Sequence, residues 1–267
     1  MTDRFVTADG GSRHLDRGGT GAPFVFQHGL CGDCSQTAQV FPEAGFRRLT
    51  LECRGHGASD CGPVERLSIA QFTDDLAAMI TEEGLGPCVV GGISMGAAIA
   101  LRLAVTRPDL VRALVLARPA WDVSAAPENM APNAAVGDLL GRFTPDEASE
   151  RFEASPIAME LAQTGPDNLA SLRGFFRREP VAQTAALLSR ISADGPGVTR
   201  GDLAALRLPV LVIGHARDHV HPIAMARGLA DMIPGARFTE ITPKATDPAR
   251  YRTDFQSALS DFLKGLP

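Results

Sequence analysis

Five short apolar runs, separated by helical patterns, restrict the possible folds of this chain more than any other feature. They are APFVFQHG (22–29), FRRLTLEC (46–53), PCVVGGIS (87–94), VRALVLARP (111–119) and LPVLVIGH (208–215). Near-continuous Val, Ile, Leu and Phe, without polar alternation, suit parallel strands covered on both faces. Between them, SIAQFTDDLAAMITEEG (68–84) places Ile69, Phe72, Leu76, Met79 and Ile80 on one helical face, and Gly84 stands where a C-cap is expected. Strands alternating with helices predict an α/β fold: a mainly parallel sheet, helices on both faces, right-handed crossovers.

The alternation breaks between residues 121 and 201. NAAVGDLLGRF, PDEASERFEASPIAMELAQ, PDNLASLRGFF and EPVAQTAALLSRI read as consecutive short helices, with prolines at or near their starts. Helices inserted between two strands of one sheet are expected to form a lid over the strand ends. The expected organisation is a core of residues 1–120 and 202–267 with a helical cap at 121–201. After the cap come a strand at 208–215, a helix from Pro222, a strand at 237–243 and a last helix at 251–265.

The 267 residues carry a formal charge of −5 and no Lys/Arg run, which argues against a nucleic-acid partner. No stretch approaches the roughly 20 apolar residues of a membrane span, and the first residues lack the apolar core of a signal peptide. Five cysteines, an odd number without a dense framework, suit free thiols and a cytoplasmic location. Cys31 and Cys34 form one CxxC pair with no second pair to complete a zinc site.

In VVGGISMGAAIALRLA (89–104), an apolar strand runs into Gly92-Ile93-Ser94-Met95-Gly96 and a helix begins at once. This is G-x-S-x-G in the strand–turn–helix setting that gives it meaning. A serine at such a turn stands clear of the sheet, at a helix N-terminus that favours developing negative charge. The bland alternative is a tight turn that happens to contain serine. On these residues the chain resembles the α/β-hydrolases. FQHGLCG (26–32) is similar to that family's HG oxyanion motif, and ECRGHGASD (52–60) to the loop after its next strand. The resemblance implies that Ser94 is a nucleophile, that the backbone N–H groups of Leu30 and Met95 form an oxyanion hole, and that His28 and His56 are architectural.

The family's acid follows the strand at 208–215, where GHARDHVHP (214–222) offers Asp218 at the matching spacing; an Asp that merely caps the next helix is the plainer reading. The family's histidine normally follows the last strand. That loop, TPKATDPARY (242–251), contains none, and no histidine occurs after His221. Three explanations compete. His221, three residues after Asp218, could be a relocated base, since the roles need geometry and not a set chain order. Lys244 could substitute for it. Or catalysis could be lost, leaving a ligand-binding protein. His215, Asp218, His219 and His221 also have the composition of a metal site, which is ranked below the serine reading.

Inside the cap, SLRGFFRREP (171–180) carries Arg173, Arg177 and Arg178, and an arginine there could grip a substrate carboxylate; a solvated helix face is the alternative. Trp121 is a candidate pocket residue or a packing residue of the cap hinge. The sequence thus points to a serine hydrolase of a small carboxylic ester, lactone or similar acyl compound. Its expected catalytic residues are Ser94, Asp218 and His221, its oxyanion donors Leu30 and Met95, and its substrate contacts Trp121, Arg173 and Arg177. No cofactor or metal is expected.

Overall fold

The computed structural model describes residues 2–42 and 45–266. The chain opens with β1 (Thr2–Val6), β2 (Ser12–Gly18) and β3 (Ala22–Gln27), then α1 (Cys34–Val40), β4 (Phe46–Leu51), α2 (Ile69–Glu82), β5 (Cys88–Ile93), α3 (Met95–Thr106) and β6 (Val111–Ala117). Five helices follow: α4 (Ala131–Arg142), α5 (Pro145–Glu153), α6 (Pro156–Thr164), α7 (Pro166–Phe175) and α8 (Val181–Ser192). The chain closes with α9 (Arg200–Ala205), β7 (Val210–Gly214), α10 (Ile223–Met232), β8 (Arg237–Glu240) and α11 (Pro248–Lys264).

The strands form one sheet in the order β1-β2-β4-β3-β5-β6-β7-β8. All neighbours from β4 through β8 pair in parallel, whereas β1–β2 and β2–β4 are antiparallel. Every apolar run expected to be a strand is one. The N-terminal antiparallel hairpin was not foreseen.

Successive side chains of a strand point to opposite faces, and this divides the core in two. Phe24 and Phe26 of β3 pack with Tyr251, Phe255, Leu259 and Phe262 of α11. Val25, from the same strand, packs on the other face with residues of α2, α3 and α10, including Leu76, Ile99 and Leu229. Burying each such side chain contributes about 1.5–3 kcal/mol. Both faces are therefore covered, as the unbroken apolar runs require. In α2, Ser68 caps the start through Gln71 N–H, and Gly84 at φ +62° ends it: Leu85 N–H reaches back to the Ile80 carbonyl at 3.0 Å.

Between β6 and β7, the inserted helices enclose a core of their own. Val136 and Leu140 of α4 meet Phe152, Leu161, Leu172, Phe176 and Leu188. Helix α8 joins the two bodies, since its neighbouring residues Leu187 and Ile191 belong to the main core. Local signals start these helices sharply: a Thr144–Glu147 capping box opens α5, Ser155 caps α6, and proline occupies the first turn of α4 to α7. Among the described residues, no helix is long and apolar enough to cross a membrane.

Candidate active site

The parallel strands end almost level, which assembles the site. Gly92 of β5 pairs with Gln27 of β3, Ile93 with Ala117 of β6, and Ala117 with Ile213 of β7. The next residues along, His28, Ser94, Arg118 and Gly214, therefore stand side by side at the C-terminal edge of the sheet, where ligands of open α/β sheets bind.

Ser94 sits at φ +56°, ψ −113°, between the last residue of β5 and the first of α3. Its backbone N–H donates to Ala117 O at 3.0 Å, and its carbonyl accepts from Ala97 and Ala98, so the turn is held from both sides. A positive φ at a non-glycine residue costs about 1–3 kcal/mol and persists only where the surroundings enforce it. Glycine is needed at two neighbouring positions. A Cβ on Gly92 would run into the Gly96 backbone, and one on Gly96 would run into the carbonyls of Gln27 and His28. The serine side chain caps nothing, and its Oγ is turned to an imidazole.

That imidazole is His221. Its Nε2 lies 2.9 Å from Ser94 Oγ, and its Nδ1 lies 2.9 Å from Asp218 Oδ1. With Nδ1 donating its proton to the carboxylate, Nε2 presents a lone pair to the serine hydroxyl. Asp218 Oδ1 also accepts from the His221 backbone N–H at 3.2 Å and from Asn168 Nδ2 at 2.8 Å. Oδ2 accepts Nε and Nη2 of Arg118 at 2.9 and 2.6 Å. Burial opposes ionisation of Asp218, but Arg118 and then His221 outweigh it and hold the carboxyl well below the usual carboxylate range. Burial likewise holds the His221 pKa below its ordinary 6.5; Asp218 opposes this and the Arg118 guanidinium reinforces it. The imidazole is thereby kept neutral, the form that can take a proton.

Arg118, Asn168 and Tyr251 were not singled out from the sequence. Arg118, at φ +45°, is the residue after β6, and its side chain is 11% exposed. A lone arginine ending an apolar parallel strand was the available signal, because such a position faces the ligand edge of the sheet. Asn168, in the first turn of α7, gave no such signal. Its Oδ1 accepts from His219 N–H at 2.8 Å and Val220 N–H at 3.3 Å, tying the inserted helices to the loop that carries Asp218. The Tyr251 ring lies under Arg118 and edge-on to His215.

Leu30 follows the His28-Gly29 turn. Gly29 N–H donates to Gln36 Oε1 at 2.6 Å, and the His28 ring spans from its neighbour's carbonyl to Cys53 N–H at 3.0 Å, which fixes the loop. Among the described residues, neither Leu30 N–H nor Met95 N–H has a protein acceptor. Gly29, Leu30, Ile93, Ser94, Arg118 and His221 line a cleft of about 100 Å³. A broader groove of about 580 Å³ lies outside it, touching Asp218 and His219 but not Ser94.

Several expected contacts lie elsewhere. Trp121 is buried in the main core with its indole N–H on Asp194 O at 2.8 Å, so it packs and does not line the cleft. Arg173 forms an exposed bidentate pair with Glu153, and Arg177 is exposed; neither lines the cleft, because both occupy the solvent face of the α7 end. Arg178 instead donates to Gly55 O at 2.7 Å. Lys244 is exposed in the turn after β8 and does not line the cleft.

The histidine-rich loop does not converge as a metal cage. His215 Nε2 lies 3.4 Å from Asp218 Oδ2, but His219 turns to Glu160, His221 Nε2 faces Ser94, and Asp218 Oδ2 is already paired with the Arg118 guanidinium. Among the described residues, ligand atoms gather closely at His14, Cys34 and Glu52 instead. His28 and His56 are fully buried, and burial pushes the pKa of each below 6.5.

The family model described as "Serine aminopeptidase, S33" matches residues 21–243. The chain belongs to this α/β-hydrolase family. Among its relatives, this α/β-hydrolase is 31% identical over 236 residues to the "Putative non-heme bromoperoxidase BpoC" of Mycobacterium tuberculosis, covering 85% of this chain and 87% of that one. It is 30% identical over 259 residues to the pimeloyl-[acyl-carrier protein] methyl ester esterase of Chromobacterium violaceum, covering 92% and 96%. The crystal structure of the enol-lactonase from Burkholderia xenovorans superposes with a TM-score of 0.70 at 24% identity, covering 96% and 98%, a likeness of fold.

Proposed function

We propose that this α/β-hydrolase cleaves a small carboxylic ester or lactone through an acyl-enzyme on Ser94. The observation that carries this reading is the continuous contact Ser94 Oγ–His221–Asp218, with 2.9 Å at each step. His221 Nε2 takes the serine proton as Oγ attacks the carbonyl carbon. Asp218 accepts the hydrogen bond from Nδ1–H, which stays on the ring, and stabilises the imidazolium. The N–H groups of Leu30 and Met95 receive the oxyanion, and losing one such donor typically costs ~3 kcal/mol of transition-state stabilisation. Collapse expels the alcohol, protonated by His221. A water, deprotonated by the same imidazole, then releases the acid.

In this reading residues 121–201 are a cap that excludes water, and Arg118 and Asn168 are positioning residues that hold Asp218. The free cysteines suit a cytoplasmic enzyme. The names of the relatives include esterases, lipases and bromoperoxidases. The serine–imidazole contact favours acyl chemistry, because its use is to make an oxygen nucleophile. The test is hydrolysis of p-nitrophenyl butyrate and γ-butyrolactone by the wild type and by Ser94→Ala. Turnover of at least one substrate that vanishes in the variant is expected. Undiminished turnover in the variant, or none of either substrate in the wild type, would overturn the reading.

A further inference from the structure

One polar side chain in the cleft has no hydrogen-bond partner among the described residues. Gln36, Arg118, Asn168, Ser171 and His221 line the space around Ser94, and each is engaged with a protein partner. Asn133 lines the same space and is not. It is only 6% exposed, and its Oδ1 has no hydrogen-bond partner among the described residues.

Asn133 occupies the first turn of α4, where leucine or alanine would serve the helix better. Two other asparagines show what this side chain does when it is structural. Asn129 donates to Ala120 O and Val220 O at 2.9 and 2.6 Å, and Asn168 bonds Asp218 and two backbone N–H groups. A buried amide left unpaired destabilises the fold. Asn133 Oδ1 is closed off from water as the side chain stands, and the cleft of about 100 Å³ that Asn133 lines is where a partner for it would come from. An alkyl chain there would leave it unpaired.

We propose that Asn133 selects acyl groups bearing a hydrogen-bond donor, a hydroxyl above all, within a few atoms of the scissile carbonyl. This rests on the assignment of Ser94 as the nucleophile. The preferred substrates are then esters or lactones of short hydroxy acids. A site built around a polar contact rejects the analogue that lacks it, because its own buried group is left unpaired. The discrimination expected from one such contact is about ten- to a hundredfold.

The test compares kcat/KM for p-nitrophenyl 3-hydroxybutyrate and p-nitrophenyl butyrate, each divided by the ester's uncatalysed hydrolysis rate. The wild type is expected to favour the hydroxylated ester at least about tenfold. Asn133→Leu is expected to lose that preference, the ratio of the two esters falling to near one. Asn133→Ala, smaller than the native side chain, reports the same loss should leucine not fit. A wild-type ratio near one, or a preference that survives in a folded variant, would overturn the proposal and leave the Ser94 reading standing. A wild type inert towards both esters, with no reaction at Ser94, would overturn both.

Discussion

His221 Nε2 lies 2.9 Å from Ser94 Oγ across 127 positions of sequence, although only two residues separate His221 from Asp218. Asp218 and His221 thus share one turn after β7, and the turn after β8 carries no histidine. Asp218 Oδ1 holds both the ring and the backbone N–H of His221. This closes the loop on itself and sets the direction of the imidazole.

Asp218 is the only carboxylate partner of the buried Arg118 guanidinium among the described residues. Removing the guanidinium leaves a buried carboxylate short of its counter-charge, which typically costs about 3–5 kcal/mol. Arg118→Gln is therefore expected to lower the Tm clearly. It is also expected to move the acid limb of the kcat/KM–pH profile upward, because the cation that helps keep His221 neutral is gone. An unchanged limb in a folded Arg118→Gln enzyme would remove Arg118 from the site's electrostatics.

Asn168 is expected to act through Asp218 and the acid loop. Asn168→Leu strips one donor from Asp218 Oδ1 and orphans the N–H groups of His219 and Val220. We expect kcat to fall by roughly tenfold or more, consistent with one lost hydrogen bond to a charged group, with KM moving less. Equal losses in kcat and stability-matched controls elsewhere in α7 would reduce Asn168 to packing.

Stability is expected to decline as the pH falls below about 6.5. Burial holds the pKa of His28, His56, His215 and His221 below 6.5 in the folded chain. The unfolded chain then binds more protons in the mildly acid range, so the folded state loses stability as pH drops through the unfolded value. Asp218 adds a separate loss at lower pH: its folded pKa is depressed, so its contribution is full above the ordinary 3.8 and disappears below it. Thermal melts from pH 8 to pH 4 check the sign, and a Tm that is flat between pH 7 and pH 5 would contradict it.

The strand-and-helix alternation was legible because β3 to β7 are buried on both faces and therefore read as unbroken apolar runs. The hairpin of β1 and β2 was not, for a specific reason. β2 does alternate, but its buried positions are Arg13 and Leu15, and Arg13 is held through Nε by Asp75 and through Nη1 by the carbonyls of Ser12 and Asp60. A buried charge hides a period of two. Ser94 was legible from glycines that the backbone cannot replace. Arg118 was hidden at the end of an apolar strand, and Asn168 and Asn133 came from inserted helices whose pattern speaks only of their own core. Arg173 and Arg177 stood out in the sequence beside Phe175 and Phe176, but the fold leaves both exposed.

The central claim is that Ser94 is activated by His221, and intact-mass labelling with a fluorophosphonate tests it most directly. The wild type is expected to gain one adduct rapidly, and Ser94→Ala none. His221→Ala should label at least about 10²-fold more slowly, since general-base catalysis is typically worth 10²–10⁴, while Lys244→Ala should label as the wild type does. Labelling of His221→Ala at the wild-type rate would contradict the claim.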